Sequence, residues 1–138
     1  MAPACESRGL TVFTRRNMND LNDLARRYVA VWNEPDAAVR REMIAQLFAP
    51  DAAHYTPSME VHGHAELEVR IATSHDKWVA PGAYVFRAVE NAGGHHGAVR
   101  FNWEMVRTAS GKVDSVGFDF LTLGEDGRIR TDHQFIES

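Results

Sequence analysis

Cysteine is almost absent from this 138-residue sequence: Cys5 is the only one, so no disulfide can form within the chain. The closely spaced Cys and His sets of structural zinc sites are missing as well. The histidine pairs in "HGH" and "HH" fall in predicted turns without a third ligand, so we expect no metal and no cofactor. A length of 138 residues suffices for a hydrophobic core. We therefore expect a soluble protein of the reducing cytoplasm.

Long apolar runs and basic clusters are also missing. No stretch approaches the roughly 20 apolar residues of a membrane-spanning helix. The 15 Lys and Arg are outnumbered by 19 Asp and Glu, giving a formal charge of −4, and no basic stripe with interleaved aromatics appears. We expect neither a membrane nor a nucleic acid as partner.

The first 18 residues show no regular pattern and lack the apolar segment of a secretory signal. We interpret 1–18 as a flexible N-terminal extension, with Met18 as an alternative start to Met1. Residues 19–138 then form a single domain.

Three segments repeat their apolar residues at spacings of three and four, which is typical of helices with one buried face. The first is 19–33, and Tyr28 lies in its apolar stripe. The second starts at Pro35, in its first turn, and ends at Pro50. The third is 64–78. The sequence therefore predicts three helices in the first half of the chain.

The second half alternates with a period of two, which predicts strands joined by the turn sequences "NAGGHH", "TASG" and "GEDG". Short strands "AAHYTP" and "MEVHG" precede the third helix. The four long strands are 83–90, 97–107, 112–123 and 128–137. We predict an α+β fold, a cone-shaped barrel of three helices on a curved, mainly antiparallel sheet of about six strands, with a pocket at its open end.

Four segments follow one another along the chain in the order "YVAVWN", "LFAPDAAHYTP", "VHGHAEL" and "DGRI". Together they resemble the nuclear transport factor 2-like superfamily, in particular its SnoaL-like branch, over about residues 19–136. The resemblance implies the same cone-shaped fold. It leaves function open, because the superfamily contains isomerases, cyclases, dehydratases, epoxide hydrolases and non-catalytic binding modules.

Ketosteroid isomerases are similar at two site positions. Tyr28 matches the tyrosine of their oxyanion hole, and Asp119 matches its protonated aspartic acid. Their base position falls on Thr56, whose hydroxyl is no base near neutral pH, so the resemblance does not imply steroid isomerisation. His54 lies on the same side of the strand and is the histidine nearest to that position. SnoaL-type polyketide cyclases resemble the chain at Asp119, which implies an acid/base role there.

Two further families resemble the chain less. Limonene-type epoxide hydrolases have an arginine where Arg100 stands, but Asn102 and Gln134 replace their two acids, so this chemistry should be absent. Scytalone-type dehydratases use pocket histidines, and His75 takes the similar place.

Strand alternation sorts the remaining side chains. We expect Arg100 and Asn102 to face the pocket with Asp119, although a register slip of one residue would exchange the faces. The aromatic residues of the opposite face then predict a homodimer packed through the sheet. They are Phe101, Trp103, Phe118 and Phe120.

Asp119 is the single charge in "VGFDFLTL", and an unpaired carboxylate in a dry interior is costly. An ion pair with Arg100 would keep it ionised, whereas apolar surroundings would keep it protonated. Asp132 is interpreted as a solvated or edge charge. Trp32 and Trp78 either form walls of the pocket or belong to the ordinary core.

Two functions are consistent with these residues. The first is a cofactor-free enzyme of the isomerase or cyclase type, acting on a small hydrophobic ligand with a carbonyl group. Asp119 would carry the proton, Tyr28 or Arg100 would stabilise the oxyanion, and His54 would assist. The second is a domain of the same fold that binds a small molecule or a partner protein without catalysis.

Overall fold

The computed structural model describes residues 20–137. The predicted extension 1–18 lies outside this range. The helices are α1 (20–33), α2 (Ala37–Leu47) and α3 (Gly63–Ser74), which continues into a π-helical turn (His75–Val79). The strands are β1 (Phe48–Thr56), β2 (Met59–His62), β3 (Tyr84–Ala88), β4 (Gly93–His95), β5 (Ala98–Arg107), β6 (Val113–Leu123) and β7 (Ile129–Glu137).

The strands form one mixed sheet in the order β2-β1-β7-β6-β5-β3, with β4 paired to β5. All pairs are antiparallel except β1 with β7, which run parallel. The predicted α+β fold of three helices on a mainly antiparallel sheet is confirmed. The sheet has seven strands instead of about six, because part of the predicted "NAGGHH" turn pairs with β5 as β4.

The predicted boundaries of α2 are wrong at both ends. The helix begins one residue after Asp36, whose carboxylate accepts hydrogen bonds from the backbone N–H groups of Ala38 and Val39. Phe48 already belongs to β1, so Pro50 lies inside a strand. The register of β1 against β7 is interrupted in this part of the strand, where a residue without an N–H group is tolerated.

The hydrophobic core lies between the helices and the sheet. α1 contributes Leu24 and Tyr28, and α3 contributes Leu67 and Ile71, at the helical spacing that the sequence shows. The sheet contributes Phe48, Val99, Phe101, Leu121 and Ile129. No helix among the described residues is long and apolar enough to cross a membrane.

The predicted faces of β5 are wrong, whereas those of β6 are confirmed. Phe101 pairs with Asp119, and directly paired residues share a face of a sheet. Phe101 and Trp103 are therefore buried beside Asp119. Arg100 instead pairs with Phe120 on the outer face, where it is exposed. The period of two shows which residues of a strand share a face, but only the pairing with the neighbouring strands decides which face points inward.

Candidate functional site

A cavity lies between α1, α3 and the inner face of the sheet. The space open to the centre of a water molecule is about 60 Å³, and the empty volume including the mouth is about 400 Å³. The lining residues are Tyr28, Val29, Trp32, Arg70, Ser74, Trp78, Phe86, Trp103 and Gln134. The first volume is well below the roughly 300–1,000 Å³ of known ligand pockets, so a ligand would also occupy the mouth of the cavity.

The phenol of Tyr28 joins two buried carboxyl groups behind this cavity. Its Oη atom lies 2.9 Å from Oδ2 of Asp119 and 2.6 Å from Oδ2 of Asp132. A phenol has one proton and cannot donate to both oxygens. The arrangement is complete when one carboxyl group is protonated and donates to the phenol oxygen, while the phenol donates to the other.

The protonated carboxyl group is that of Asp119. Burial, followed by the charge of Asp132, raises the pKa of Asp119 well above its ordinary value. Burial also raises the pKa of Asp132, but the neighbouring Asp119 carboxyl group, the hydrogen bond from Tyr28 and the charge of Arg70 act in the opposite direction. Oδ2 of Asp132 also lies 2.8 Å from Nδ1 of His54, so this carboxyl group has a second donor beside the phenol, and we assign the negative charge of the pair to Asp132. The pKa of Tyr28 is raised well above its ordinary value by burial and by the two carboxyl groups, so the phenol keeps its proton.

His54 extends the network on the other side of Asp132. Its Nδ1 atom lies 2.8 Å from Oδ2 of Asp132, and Nε of Arg70 lies 3.4 Å from its Nε2 atom. Because an arginine can only donate, Nε2 must offer a lone pair, and the single ring proton sits on Nδ1. Burial and the charge of Arg70 lower the pKa of His54 to about 4, which agrees with a neutral ring.

The parallel pairing of β1 with β7 brings these two groups together, since His54 and Asp132 are directly paired in the register. Both side chains are completely buried. Asp132 keeps one oxygen, Oδ1, without a hydrogen-bond partner among residues 20–137. The network thus contains an ionised carboxylate with an unused lone pair.

Two further side chains complete the site. Trp103 donates from Nε1 to Oδ1 of Asp119 at 2.6 Å. Gln134 lies on β7, with its Nε2 atom 3.5 Å from the Tyr28 phenol and its Oε1 atom 3.1 Å from Nη2 of Arg70. The result is a continuous hydrogen-bonded chain from Trp103 through the two carboxyl groups to Arg70.

Only some of the site residues predicted from the sequence line the cavity. Tyr28, Trp32, Trp78 and Gln134 line the cavity. Asp119 and His54 do not line it, but lie in the layer behind Tyr28.

Four of the named residues lie elsewhere. Arg100 is on the outer face, with Nη1 3.3 Å from the backbone oxygen of Asn91, so the ion pair considered for Asp119 is not formed. Asn102 is also on that face and donates to the backbone oxygen of Gly117. Thr56 is half-buried at the end of β1 and His75 is buried in the π-helical turn, and neither lines the cavity.

Sequence reasoning missed three members of the site. Asp132 was interpreted as solvated, yet it is completely buried, and its alternation with Gln134 along β7 gave a signal for this. Arg70 follows Leu67 by three residues, so the helical stripe of α3 already contained it. Trp103 was assigned to the opposite face. Among the described residues, no three His, Cys, Asp or Glu side chains are placed to hold a metal ion.

Fold and site together define a small α+β pocket protein with a buried proton network. The family model of the SnoaL-like domain matches residues 25–131, and the chain belongs to this family. No curated protein matches the chain.

Solved structures of related proteins agree. A candidate isomerase of the SnoaL-like family from Agrobacterium tumefaciens is 27% identical, with 84% of this chain and 96% of that chain covered and a TM-score of 0.76. A candidate polyketide cyclase from Sinorhizobium meliloti is 14% identical (86% and 98% covered, TM-score 0.63). A protein from Catenulispora acidiphila in complex with trimethylamine is 12% identical (81% and 83% covered, TM-score 0.61). The last two support the fold alone.

Proposed function

We propose that this protein is a cofactor-free acid–base enzyme of the isomerase or cyclase type, acting on a small hydrophobic ligand that carries a carbonyl group. The observation that carries the proposal is the phenol of Tyr28, which lines the cavity and contacts both buried carboxyl groups. A ligand oxygen beside this phenol would be in contact with a prepared proton donor.

The protons held by the network allow a proton-transfer step in which every proton is accounted for. Tyr28 donates its proton to the carbonyl oxygen, and protonated Asp119 passes its own proton to the phenol oxygen. When the phenol turns toward the ligand, it uncovers Asp132 behind it, which removes a proton from the carbon next to the carbonyl group, so the ligand becomes an enol. Asp119 is then ionised and Asp132 protonated. Because Tyr28 contacts both, it can return the proton and restore the starting state.

Neutral His54 supports this role of Asp132. Its Nδ1–H group donates to the same oxygen that accepts from Tyr28. When the phenol turns to the ligand, His54 still holds the carboxylate in place. Oδ1 of Asp132, which has no partner among the described residues, is the atom to which we assign the base function.

A second candidate function is binding without catalysis. It is favoured by the complete burial of Asp119, Asp132 and His54, none of which lines the cavity. In that case the network only fixes the shape of the site.

Proton exchange separates the two candidates. The exchange of the C3 protons of butan-2-one and of 2-oxobutanoate with D₂O is followed by NMR with wild-type protein and with Asp119→Asn, Tyr28→Phe and Asp132→Asn. Acceleration by wild type that falls by roughly 100-fold or more in the variants supports the enzyme. Ligand-induced shifts without any acceleration favour the binding domain.

We also propose that the protein forms a homodimer through the outer face of the sheet. Phe101 and Trp103 drop out of the predicted interface because they point inward. Phe118 and Phe120 remain, and Phe135 of β7, which the prediction did not include, packs against Phe118; Phe120 and Phe135 are 40% and 49% exposed. Exposed aromatic patches of this kind mark interaction surfaces, and docking of a different protein is the alternative. Location in the cytoplasm stays a prediction from the sequence.

A further inference from the structure

Arg70 is a half-buried cation in the wall of the cavity without an acidic partner. Its guanidinium carbon lies 5.0 Å from the centre of the Trp32 ring, and its hydrogen bonds go to neutral His54 and Gln134. Among residues 20–137, no carboxylate lies within 4 Å of it and its Nη1 atom has no partner.

Other arginines of the protein have different hydrogen-bond or ion-pair partners. Arg40, the most buried arginine among residues 20–137, donates to the backbone oxygens of Glu34 and Pro35 beyond the end of α1. In the same part of the chain, five exposed or half-buried arginines contact carboxylates: Arg26, Arg41, Arg87, Arg107 and Arg128. Arg70 differs from both groups because its unused donors lie at a cavity.

His54 keeps the nearest charged acid away from Arg70. The imidazole lies between them, with Nε2 toward Arg70 and Nδ1 toward Asp132. Burial lowers the pKa of Arg70, while the charges of Tyr28, Asp132 and Asp119 act in the opposite direction without any of these groups contacting the guanidinium group directly. An anion in the cavity would supply that partner.

A second unpartnered donor lies in the same wall. Trp32 is 6% exposed, and its Nε1 atom has no hydrogen-bond partner among the described residues. The polar acceptor nearest to Arg70 in the wall, Oε1 of Gln134, is already occupied by the guanidinium group. Two residues of the wall thus carry donors without partners, and the donors of Arg70 would be satisfied by a ligand group that only accepts, which is the property of a carboxylate.

Apart from Ser74, the rest of the lining is apolar and aromatic, with Val29, Trp78 and Phe86 beside Trp32. We propose that the cavity binds a small carboxylate with a short apolar or aromatic body, and that Arg70 is its anion anchor. This inference rests on the proposed function, since it names the substrate class of the same site. Arg70 also lines an open groove between β2 and α3, which contains Glu60 and Glu66, so the cavity is the side on which Arg70 would meet an anion.

Benzoate and benzamide test the proposal, because they share size and shape and differ in charge. Binding is measured by NMR titration of the tryptophan indole signals in wild type, Arg70→Met, Arg70→Lys and the surface control Arg41→Met. We expect wild type to bind benzoate about 10- to 100-fold more tightly than benzamide, as for one charge-assisted hydrogen-bonded contact. Arg70→Met should remove this preference and leave benzamide binding within about threefold. Arg70→Lys should retain part of it, and Arg41→Met all of it.

Three results would overturn the proposal: equal binding of the two probes by wild type, a preference that survives in Arg70→Met, or no binding of benzoate by wild type. The enzyme proposal fails separately. If Arg70-dependent benzoate binding is found while proton exchange is not accelerated, the ligand class stands and catalysis does not. If exchange of butan-2-one is accelerated and benzoate has no advantage over benzamide, catalysis stands and the carboxylate ligand class does not.

Discussion

Gly117 and Trp103 are directly paired across β5 and β6, and the indole ring of Trp103 occupies the space where a side chain of residue 117 would lie. A Cβ atom built on Gly117 would be 1.9 Å from Cε2 of Trp103. The absence of a side chain there lets the indole lie against β6, with Nε1 2.6 Å from Asp119 two residues further on. A glycine in a strand thus positions the hydrogen-bond donor of a buried carboxyl group.

Gly117→Ala should displace the Trp103 ring and break its hydrogen bond to Asp119. Because overpacking and the loss of one buried hydrogen bond add, we expect the free energy of unfolding to fall by about 2–5 kcal/mol. Urea unfolding followed by tryptophan fluorescence measures this. Gly93→Ala is the matched control, since the added Cβ would meet only the flexible end of Arg100, at 3.4 Å. Equal stability losses in the two variants would show that the indole does not depend on Gly117.

His54 should make the stability of the protein depend on pH in the acidic range. Its pKa is about 4 in the folded protein and about 6.5 in the unfolded chain. Between these values only the unfolded chain binds the proton, so the contribution of His54 is complete above about pH 6.5 and is lost as the pH falls toward 4.

The His54→Gln variant isolates this contribution, because glutamine does not titrate. The stability advantage of wild type over the variant should be smaller by about 2 kcal/mol at pH ~5 than at pH ~7.5. Urea unfolding at the two pH values gives the difference. An advantage that is the same at both would mean that the ring is not kept neutral in the folded protein.

Asp119 should make the stability of the protein depend on pH in the direction opposite to that of His54. Its pKa is raised in the folded protein, so the folded state holds a proton that the unfolded chain releases. This contribution is complete below about pH 3.9 and is lost as the pH rises toward the folded-state pKa. The stability of wild type relative to Asp119→Asn should therefore decrease with rising pH, by at most about 1.4 kcal/mol per pH unit. An increase with pH would place an ionised Asp119 in the folded protein.

The outer aromatic face gives a prediction about assembly. Phe120→Glu and Phe135→Glu place charges in the proposed interface and should shift the protein from dimer to monomer in sedimentation experiments. Val69→Glu, a charge at a 67% exposed position on α3, is the control and should leave the dimer intact. A wild-type protein that sediments as a monomer contradicts the proposed homodimer.

Much of the fold could be predicted from local pattern. The helical stripe that contains Tyr28 and the alternation of β6 around Asp119 both hold in the structure, because spacing along one element fixes which of its residues share a face. The lone carboxyl group in an apolar strand was a correct signal of an unusual environment. The sequence did not reveal its partner, since Arg100 on the neighbouring strand points to the opposite face.

The sequence by itself determined the elements, their order and the polar residues that stand out within them. Only the tertiary structure decided which face of β5 points inward and that Asp132 lies beside His54. The physical reason is that these two facts depend on pairings between strands distant in the chain, β5 with β6 and β1 with β7. A period of two is unchanged when its faces are exchanged, so the register of the assembled sheet had to make the choice.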